Sequence, residues 1–204
     1  MGNVRNRVVT VLAGLGAGFL AIGVVSPAQA DSLANPGAPT VPASGAFEFV
    51  TANGILPTWA YANLTLVGVD PGKAVTTSGS TMATVTLPVV AKTGTANAAG
   101  GGFRITNSRT GKSVRCSSPT IDTAARVVDC VLADGTNARL FAIDSIDTVR
   151  IVSAASSRTT TFDGMDLRVN GIEVADYLNR ELGVNVFSPS VTFANATLYV
   201  TRAR

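Results

Sequence analysis

Apolar and polar residues alternate in short runs with a period of two through much of the chain. Val85, Leu87 and Val89 alternate with threonine and proline, and Phe103 and Ile105 alternate with polar residues. Further runs of this kind occupy residues 138–143, 148–153, 159–169 and 191–201. This pattern predicts half-buried antiparallel strands joined by turns. We therefore expect a mainly β fold, an antiparallel β-sandwich or a barrel-like form of it, rather than alternating βα units.

One stretch with helical periodicity interrupts the strands and predicts a surface helix near residues 171–182. Asn170 can cap its start, Glu173 can complete a capping box, and Gly183 is suited to a left-handed C-terminal stop. The helix is expected to lie on the sheet through one apolar face. That face consists of Ile172, Ala175, Leu178 and Leu182.

The N-terminus has the three-part order of a secretory signal peptide. Two arginines precede an apolar run over residues 8–25, and the small residues Ala28 and Ala30 follow it. Residues 1–30 are therefore predicted to be a signal peptide cleaved after Ala30, and the protein to be secreted, either extracellular or associated with the cell envelope. An uncleaved anchor is the alternative, because about 18 apolar residues reach the lower limit of a spanning helix. The four glycines in the run favour cleavage, and no membrane segment is expected afterwards.

The chain beyond the predicted cleavage site divides into two parts. Residues 31–45 are rich in Pro, Gly, Ala and Ser, and they predict a flexible leader because they have little apolar periodicity. Residues 46–204 are long enough to bury a core and predict a single β-rich domain. Within this domain, residues 93–102 form a low-complexity Gly, Ala, Thr and Asn stretch that predicts a loop.

Charge argues against a nucleic-acid partner. The whole chain has 16 Lys and Arg against 13 Asp and Glu, and removing residues 1–30 leaves 14 basic residues and a net charge of +1. These charges are scattered singly, so they form no basic stripe of the kind that contacts a phosphate backbone. The expected partner is instead a cell-wall component or another surface protein.

The chain has two cysteines, Cys116 and Cys130, which are equidistant from Thr123. A hairpin turn centred at Thr123 would place them directly opposite each other. Because export permits oxidation, we predict a disulfide, and closing a loop of about 15 residues would contribute roughly 3 kcal/mol in the chain-entropy model. A metal-binding or catalytic thiol is the alternative, which the absence of histidine and of a second cysteine pair disfavours.

The absence of histidine excludes Ser-His-Asp and Cys-His nucleophiles, histidine zinc sites and His-ligated haem. Carboxylate chemistry remains, and its candidate pairs are Asp144 with Asp147 and Asp163 with Asp166, as acid and base or as calcium ligands. Each pair is three residues apart beside a predicted turn, a spacing that puts the two side chains on opposite faces of a strand. Turn formation is therefore the favoured role, and we expect no metal site.

Aromatic side chains are concentrated near the start of the predicted domain. They are Phe47, Phe49, Trp59 and Tyr61. On an accessible edge, Trp59 and Tyr61 could stack on a sugar or hold a planar ligand, whereas core packing is the alternative. Trp59 and Tyr61 are the candidate ligand-binding residues.

Three strand segments resemble the central β repeat of HtaA-like domains, which are exported cell-envelope domains of actinobacteria. The segments are residues 83–90 (ATVTLPVV), 101–107 (GGFRITN) and 116–122 (CSSPTID). Residues 178–183 (LNRELG) are similar to a helix end of related secreted β-proteins, and the resemblance spans residues 62–201. It implies an envelope-associated β domain.

The resemblance also implies a possible ligand, because some HtaA-like domains bind haem. Their haem-binding members have a tyrosine ligand after a Trp-Gly motif, with a histidine nearby. Here Trp59 is followed by Ala60, Tyr61 is the counterpart of the tyrosine ligand, and the histidine is absent.

These observations predict a secreted, non-enzymatic cell-envelope or extracellular protein with a binding or structural role and no resident cofactor. The first alternative is a carrier of a planar or apolar small ligand such as haem, which would require Trp59 and Tyr61 to line a pocket. The second is a carboxylate-only hydrolase of cell-wall polysaccharide, which would require two carboxylates that converge in a cleft.

Overall fold

The computed structural model describes residues 45–76, 80–93 and 96–203, so the predicted signal peptide and nearly all of the predicted leader lie outside the described residues. The elements in chain order are β1 (Gly45–Thr51), α1 (Ile55–Tyr61), β2 (Leu64–Val69), β3 (Lys73–Thr76), β4 (Ala83–Thr93), β5 (Ala96–Ala99), β6 (Gly102–Asn107), β7 (Ser113–Asp122), β8 (Val127–Val131), β9 (Asn137–Ser153), β10 (Ser157–Val169), α2 (Gly171–Leu182) and β11 (Thr192–Ala203). Neither helix in these ranges is long and apolar enough to cross a membrane.

The strands close into an antiparallel barrel. The hydrogen-bonded order is β7-β5-β4-β1-β11-β10-β9-β8, and β8 pairs back to β7. β5 and β6 pair with successive halves of β7, β2 extends the sheet beyond β6, and β3 pairs with β4. The prediction of a mainly β, antiparallel fold is confirmed, in its barrel-like form.

The alternating residues of the sequence build the barrel core. Val85 and Leu87 of β4 are fully buried and face Phe49 and Phe47 of β1 across the ladder. Full burial of each such side chain contributes about 1.5–3 kcal/mol. The predicted burial of alternate positions on this strand is therefore confirmed.

The predicted loop over residues 93–102 is wrong, because Ala96–Ala99 form β5 between β4 and β7. Alanine and asparagine are poor strand formers, so pairing on both sides rather than local preference holds this segment extended. A second difference concerns β9, Asn137–Ser153, which is one continuous strand where the sequence predicts two separate runs.

Helix α2 occupies the predicted residues and ends at Gly183, which has a left-handed φ of 68°. The N-cap residue is Asn170, as predicted. However, its side chain donates a hydrogen bond to the carbonyl oxygen of Arg139 (3.2 Å) and makes no capping bond. Ile172, predicted for the apolar face, is 62% exposed. The buried residues of that face are Ala175, Leu178 and Leu182.

Cys116 and Cys130 form the predicted disulfide, with Cα atoms 5.0 Å apart. The predicted register is wrong, because the β7–β8 ladder pairs Ser117 with Val131 rather than Cys116 with Cys130. A bulge follows Ser117, where Ser118 has a left-handed φ of 44°. The hairpin is centred beyond Thr123, since Asp122 pairs with Val127, and the cysteines therefore meet on a diagonal of the ladder.

Candidate functional site

Helix α1 is not predicted from the sequence, which predicts only the helix that corresponds to α2. It is only seven residues long and contains Pro57, so it shows no helical periodicity. Gly54 precedes it with a φ of 88°, a conformation that glycine adopts readily. The hydroxyl of Thr58 donates to the carbonyl oxygen of Gly54 (2.9 Å). Such a short helix is stabilised mainly by tertiary packing.

Trp59 supplies that packing. It is 2% exposed, and its ring centroid lies 5.6 Å from that of Phe187 and 5.7 Å from that of Phe193. The cavity beside it has a volume of only about 20 Å³, which is room for about one water molecule. Trp59 therefore acts as the core anchor of α1.

Tyr61, at the end of the same helix, is 92% exposed. It lines a surface groove of about 530 Å³, which we call the Tyr61 groove. This volume lies within the range of roughly 300–1,000 Å³ that is typical of small-molecule sites. The groove lies between the end of α1, the β6–β7 turn and the segment after α2. Its lining includes Tyr61, Asn63, Arg109, Val184, Asn185 and Val186.

The β6–β7 turn brings a cation to this groove. The buried Asn107 donates its side-chain amide to the carbonyl oxygen of Leu182 (2.9 Å), and its side-chain oxygen accepts from the backbone N–H groups of Arg109 (3.0 Å) and Thr110 (3.2 Å). These bonds tie the turn to the C-terminal end of α2. The exposed guanidinium of Arg109 makes no ion pair with any described residue, so it is available to an anionic ligand.

A second groove, of about 460 Å³, lies on another side of α1. Its lining is mostly apolar and includes Leu56, Pro57, Ala60, Leu64 and Leu66. Helix α1 therefore forms a ridge between two grooves, with Tyr61 on one side of the ridge. Trp59 and Tyr61, the two predicted ligand residues, do not line a common pocket.

The predicted opposite orientation of Asp163 and Asp166 is wrong. Thr197 donates its hydroxyl to Asp163 (2.7 Å), and Asn195 donates its side-chain amide to Asp166 (3.2 Å). Both partners lie on the outer face of β11, two residues apart. A bulge at Gly164, which has a φ of 65°, adds one residue to β10 and places both carboxylates outside the barrel.

Asp144 and Asp147 lie within β9 and not beside a turn, so the predicted turn-forming role is also wrong for them. Asp144 pairs with Arg168 at 2.9 Å, and Asp147 lies against Gly164, where a Cβ atom would overlap its side chain. None of the four predicted carboxylates lines the cavities described here. In the described part of the chain, no group of three or more His, Cys, Asp or Glu side chains could hold a metal ion.

Arg109 is a groove residue that the sequence analysis does not identify. Its turn is visible in the sequence at residues 107–111, but its groove neighbours come from residues 61–63 and 184–186. The three segments meet only when α2 folds back onto β7. Asn107 is the sequence feature that indicates this arrangement. An asparagine at the end of a strand can form hydrogen bonds with the backbone of its own turn and with a distant carbonyl group.

No family model matches this chain, and no curated protein matches it. Among solved structures, the crystal structure of the heme binding protein HtaB from Corynebacterium glutamicum is similar to it with a TM-score of 0.45 and 15% sequence identity. The matched region covers 78% of this chain and 96% of that chain. This likeness is too distant to assign a ligand or site residues here.

Proposed function

We propose that this protein is an exported, non-enzymatic binding protein and that the Tyr61 groove is its ligand site. One observation carries the proposal: Trp59 fixes α1 in the core, while Tyr61, two residues later, is 92% exposed at the edge of a groove. An exposed aromatic ring on a rigidly held element offers a large contact area with little loss of conformational entropy on binding.

A planar, partly apolar anion such as haem fits the chemistry of this groove. A tyrosine phenolate can ligate ferric haem iron, and Tyr61 presents its phenol without steric obstruction. Arg109 can pair with a haem propionate through two parallel hydrogen bonds. Val184 and Val186 offer apolar contact to the macrocycle. The sequence contains no histidine, so Tyr61 would hold the iron without a histidine partner.

The shape of the groove agrees with a carrier role. The groove is a surface depression beside a short helix, so a bound macrocycle would keep one face or edge exposed. A partly exposed ligand buries less apolar surface than a fully enclosed cofactor, so it binds less tightly. It also leaves the ligand accessible to an acceptor, which suits a protein that binds haem and then releases it.

The experiment is an absorbance titration of the exported protein with haemin. The expected result is a saturable Soret shift at one haem per chain, which Tyr61→Phe weakens at least about tenfold because it loses the iron–oxygen bond and keeps the ring. Tyr199→Phe is the matched control, since Tyr199 is an exposed tyrosine of β11 away from the groove. Equal binding by the Tyr61→Phe variant would exclude Tyr61 as the iron ligand.

A cell-wall glycan is the second candidate for the same groove. The exposed ring of Tyr61 can stack on a sugar face, and Arg109, Asn63 and Asn185 can hydrogen-bond hydroxyl groups. Co-sedimentation with cell-wall fragments distinguishes the two ligands. Glycan binding should be lost in Tyr61→Ala but retained in Tyr61→Phe, whereas haem binding should be weakened at least about tenfold in both.

A further inference from the structure

The end of the barrel remote from α1 opens into a separate cavity, which we call the lumen pocket. Along β11, Ala194 pairs with Thr51 near α1, whereas Val200 pairs with Gly45 at the other end. At about 3.3 Å per residue, these two positions are roughly 20 Å apart along the strand. The lumen pocket has a volume of about 290 Å³, close to the lower limit of roughly 300 Å³ for small-molecule sites.

Asn97 of β5 lines this pocket with an unsatisfied acceptor. The residue is 1% exposed, and its side-chain amide donates to the carbonyl oxygen of Ile121 at 3.4 Å. Its side-chain oxygen is buried and accepts no hydrogen bond. A buried polar atom without a hydrogen-bond partner is destabilising, so a ligand group that donates a hydrogen bond to this oxygen would stabilise the complex.

Two arginines on the opposite wall supply positive charge. Arg158 and Arg202 are directly paired in the β10–β11 ladder, and both line the pocket. Like charges directly opposite each other on a sheet are destabilising. Neither arginine forms an ion pair with a described residue, and residues 148–160 and 196–203 contain no Asp or Glu. An anion at this position would relieve the repulsion and accept charge-assisted hydrogen bonds.

Apolar side chains lie alongside the two arginines. Val149 and Ile151 of β9 pair with Phe162 and Thr160 of β10, and all four residues line the pocket. Val149 is 54% exposed and Ile151 is 50% exposed, although both belong to the wall of a cavity. A ligand with an apolar body would remove this surface from water.

We propose that the lumen pocket binds a small organic anion that carries an apolar body the size of one ring and a hydroxyl group remote from its anionic group. β5 and β10 lie on opposite sides of the eight-strand ring. A ligand that spans the lumen therefore places its anionic group at Arg158 and Arg202, its body against Val149 and Ile151, and its hydroxyl at the Asn97 side-chain oxygen. An eight-strand barrel has an interior wide enough for one small ligand.

The test is calorimetry and NMR titration of the exported protein with three related probes. The first is 3-(4-hydroxyphenyl)propanoate, the second is 3-phenylpropanoate, which lacks the hydroxyl, and the third is 3-(4-hydroxyphenyl)propanamide, which lacks the charge. We expect the first probe to bind with a dissociation constant below about 1 mM and each of the others to bind about tenfold more weakly. Amide signals of β5 and of residues 149–162 should shift on binding.

Substitutions of the lining residues test which side chains contact each part of the probes. The double variant Arg158→Gln/Arg202→Gln should lose about tenfold in affinity for the two carboxylates and leave binding of the amide unchanged. Arg150→Gln is the matched control, because Arg150 lies on the same hairpin but one residue from the lumen-facing Val149 and Ile151. Asn97→Leu should abolish the preference for the hydroxyl, and the probe that lacks the hydroxyl tests the same contact without changing the protein.

Three results would overturn the proposal: no saturable binding of the first probe, equal binding of all three probes, or an equal loss in the Arg150→Gln control. Inorganic sulfate that competes as well as the first probe would also overturn it, since the pocket would then bind simple anions only. Tyr61→Phe should leave these affinities unchanged, because the lumen pocket and the Tyr61 groove are independent. A negative binding result for one site would therefore not count against the proposal for the other site.

Discussion

Trp59 and Tyr61 lie two residues apart on α1 and have opposite environments: Trp59 is 2% exposed and Tyr61 is 92% exposed. Residues two apart on a helix point to nearly opposite sides, so an inward Trp59 requires an outward Tyr61. The packing of Trp59 against Phe187 and Phe193 therefore also determines where the phenol of Tyr61 is presented. Trp59 therefore stabilises the fold, whereas Tyr61 makes the proposed ligand contact.

This division predicts different effects of the two alanine substitutions on stability. Trp59→Ala leaves a cavity in a packed aromatic cluster and should lower the free energy of unfolding by about 3–5 kcal/mol. Tyr61→Ala removes an exposed side chain and should change it by no more than about 0.5 kcal/mol. Urea denaturation of the two variants measures both values, and a large destabilisation by Tyr61→Ala would show that its ring packs against the fold.

The disulfide should make a measurable contribution to stability. The bond joins residues that are 14 apart in sequence. Replacing both cysteines with alanine should lower the free energy of unfolding by about 3 kcal/mol, and the melting temperature by roughly 6–12 °C for a domain of this size. Because both cysteines are buried, a reducing agent should not cleave the bond in the folded protein. Rapid loss of the bond under native conditions would contradict the burial.

Gly164 should tolerate no side chain. Its φ of 65° is unfavourable for other residues, and a Cβ atom there would overlap Asp147. Gly164→Ala should therefore destabilise the barrel by about 1–3 kcal/mol. In the double variant with Asp147→Ala, the overlap with the carboxyl group disappears, whereas the overlap with the Cβ atom of residue 147 (2.7 Å) and the backbone strain remain, so only part of the stability should return. Additive effects of the two substitutions in a double-mutant cycle would rule out the contact.

Tyr177 should ionise later than an ordinary tyrosine. Desolvation, followed by the charges of Glu181 and Asp134, raises the pKa of its phenol above the usual value of 10.0. The neutral form is favoured in the folded state, so this stabilisation is fully present below pH 10 and is lost as the pH rises through the higher folded-state pKa. In a spectrophotometric titration at 295 nm, Tyr177→Phe should remove a tyrosine step whose midpoint lies above pH 10, and loss of a step at or below pH 10 would contradict the raised pKa.

Local sequence patterns predict those parts of this fold in which local preference and tertiary structure agree. The alternation in β4 and the left-handed stop at Gly183 are of this kind. The patterns fail at bulges, because one extra residue at Ser118 or Gly164 reverses or shifts every later position on the strand. They also fail at β5 and α1, which are too short or too weakly patterned to be recognised without their neighbours.

The proposed binding residues also differ in whether they can be recognised from the sequence alone. Tyr61 can be selected from the sequence because large aromatic residues are concentrated around it. Arg109 reaches the same groove only through the tertiary bond between Asn107 and Leu182. Arg158 and Arg202 are 44 residues apart in sequence and become neighbours only through the register of two strands. A single sequence contains no local signal for such pairs.

The most direct test of the proposed function is to identify the atom that binds ferric haem iron in the protein. Resonance Raman spectra of the haemin complex should show the iron–phenolate and ring vibrations of a coordinated tyrosinate, and these bands should be absent from the Tyr61→Phe complex. The same tyrosinate bands in the Tyr61→Phe variant, or their absence from the unmodified protein, would contradict haem ligation by Tyr61.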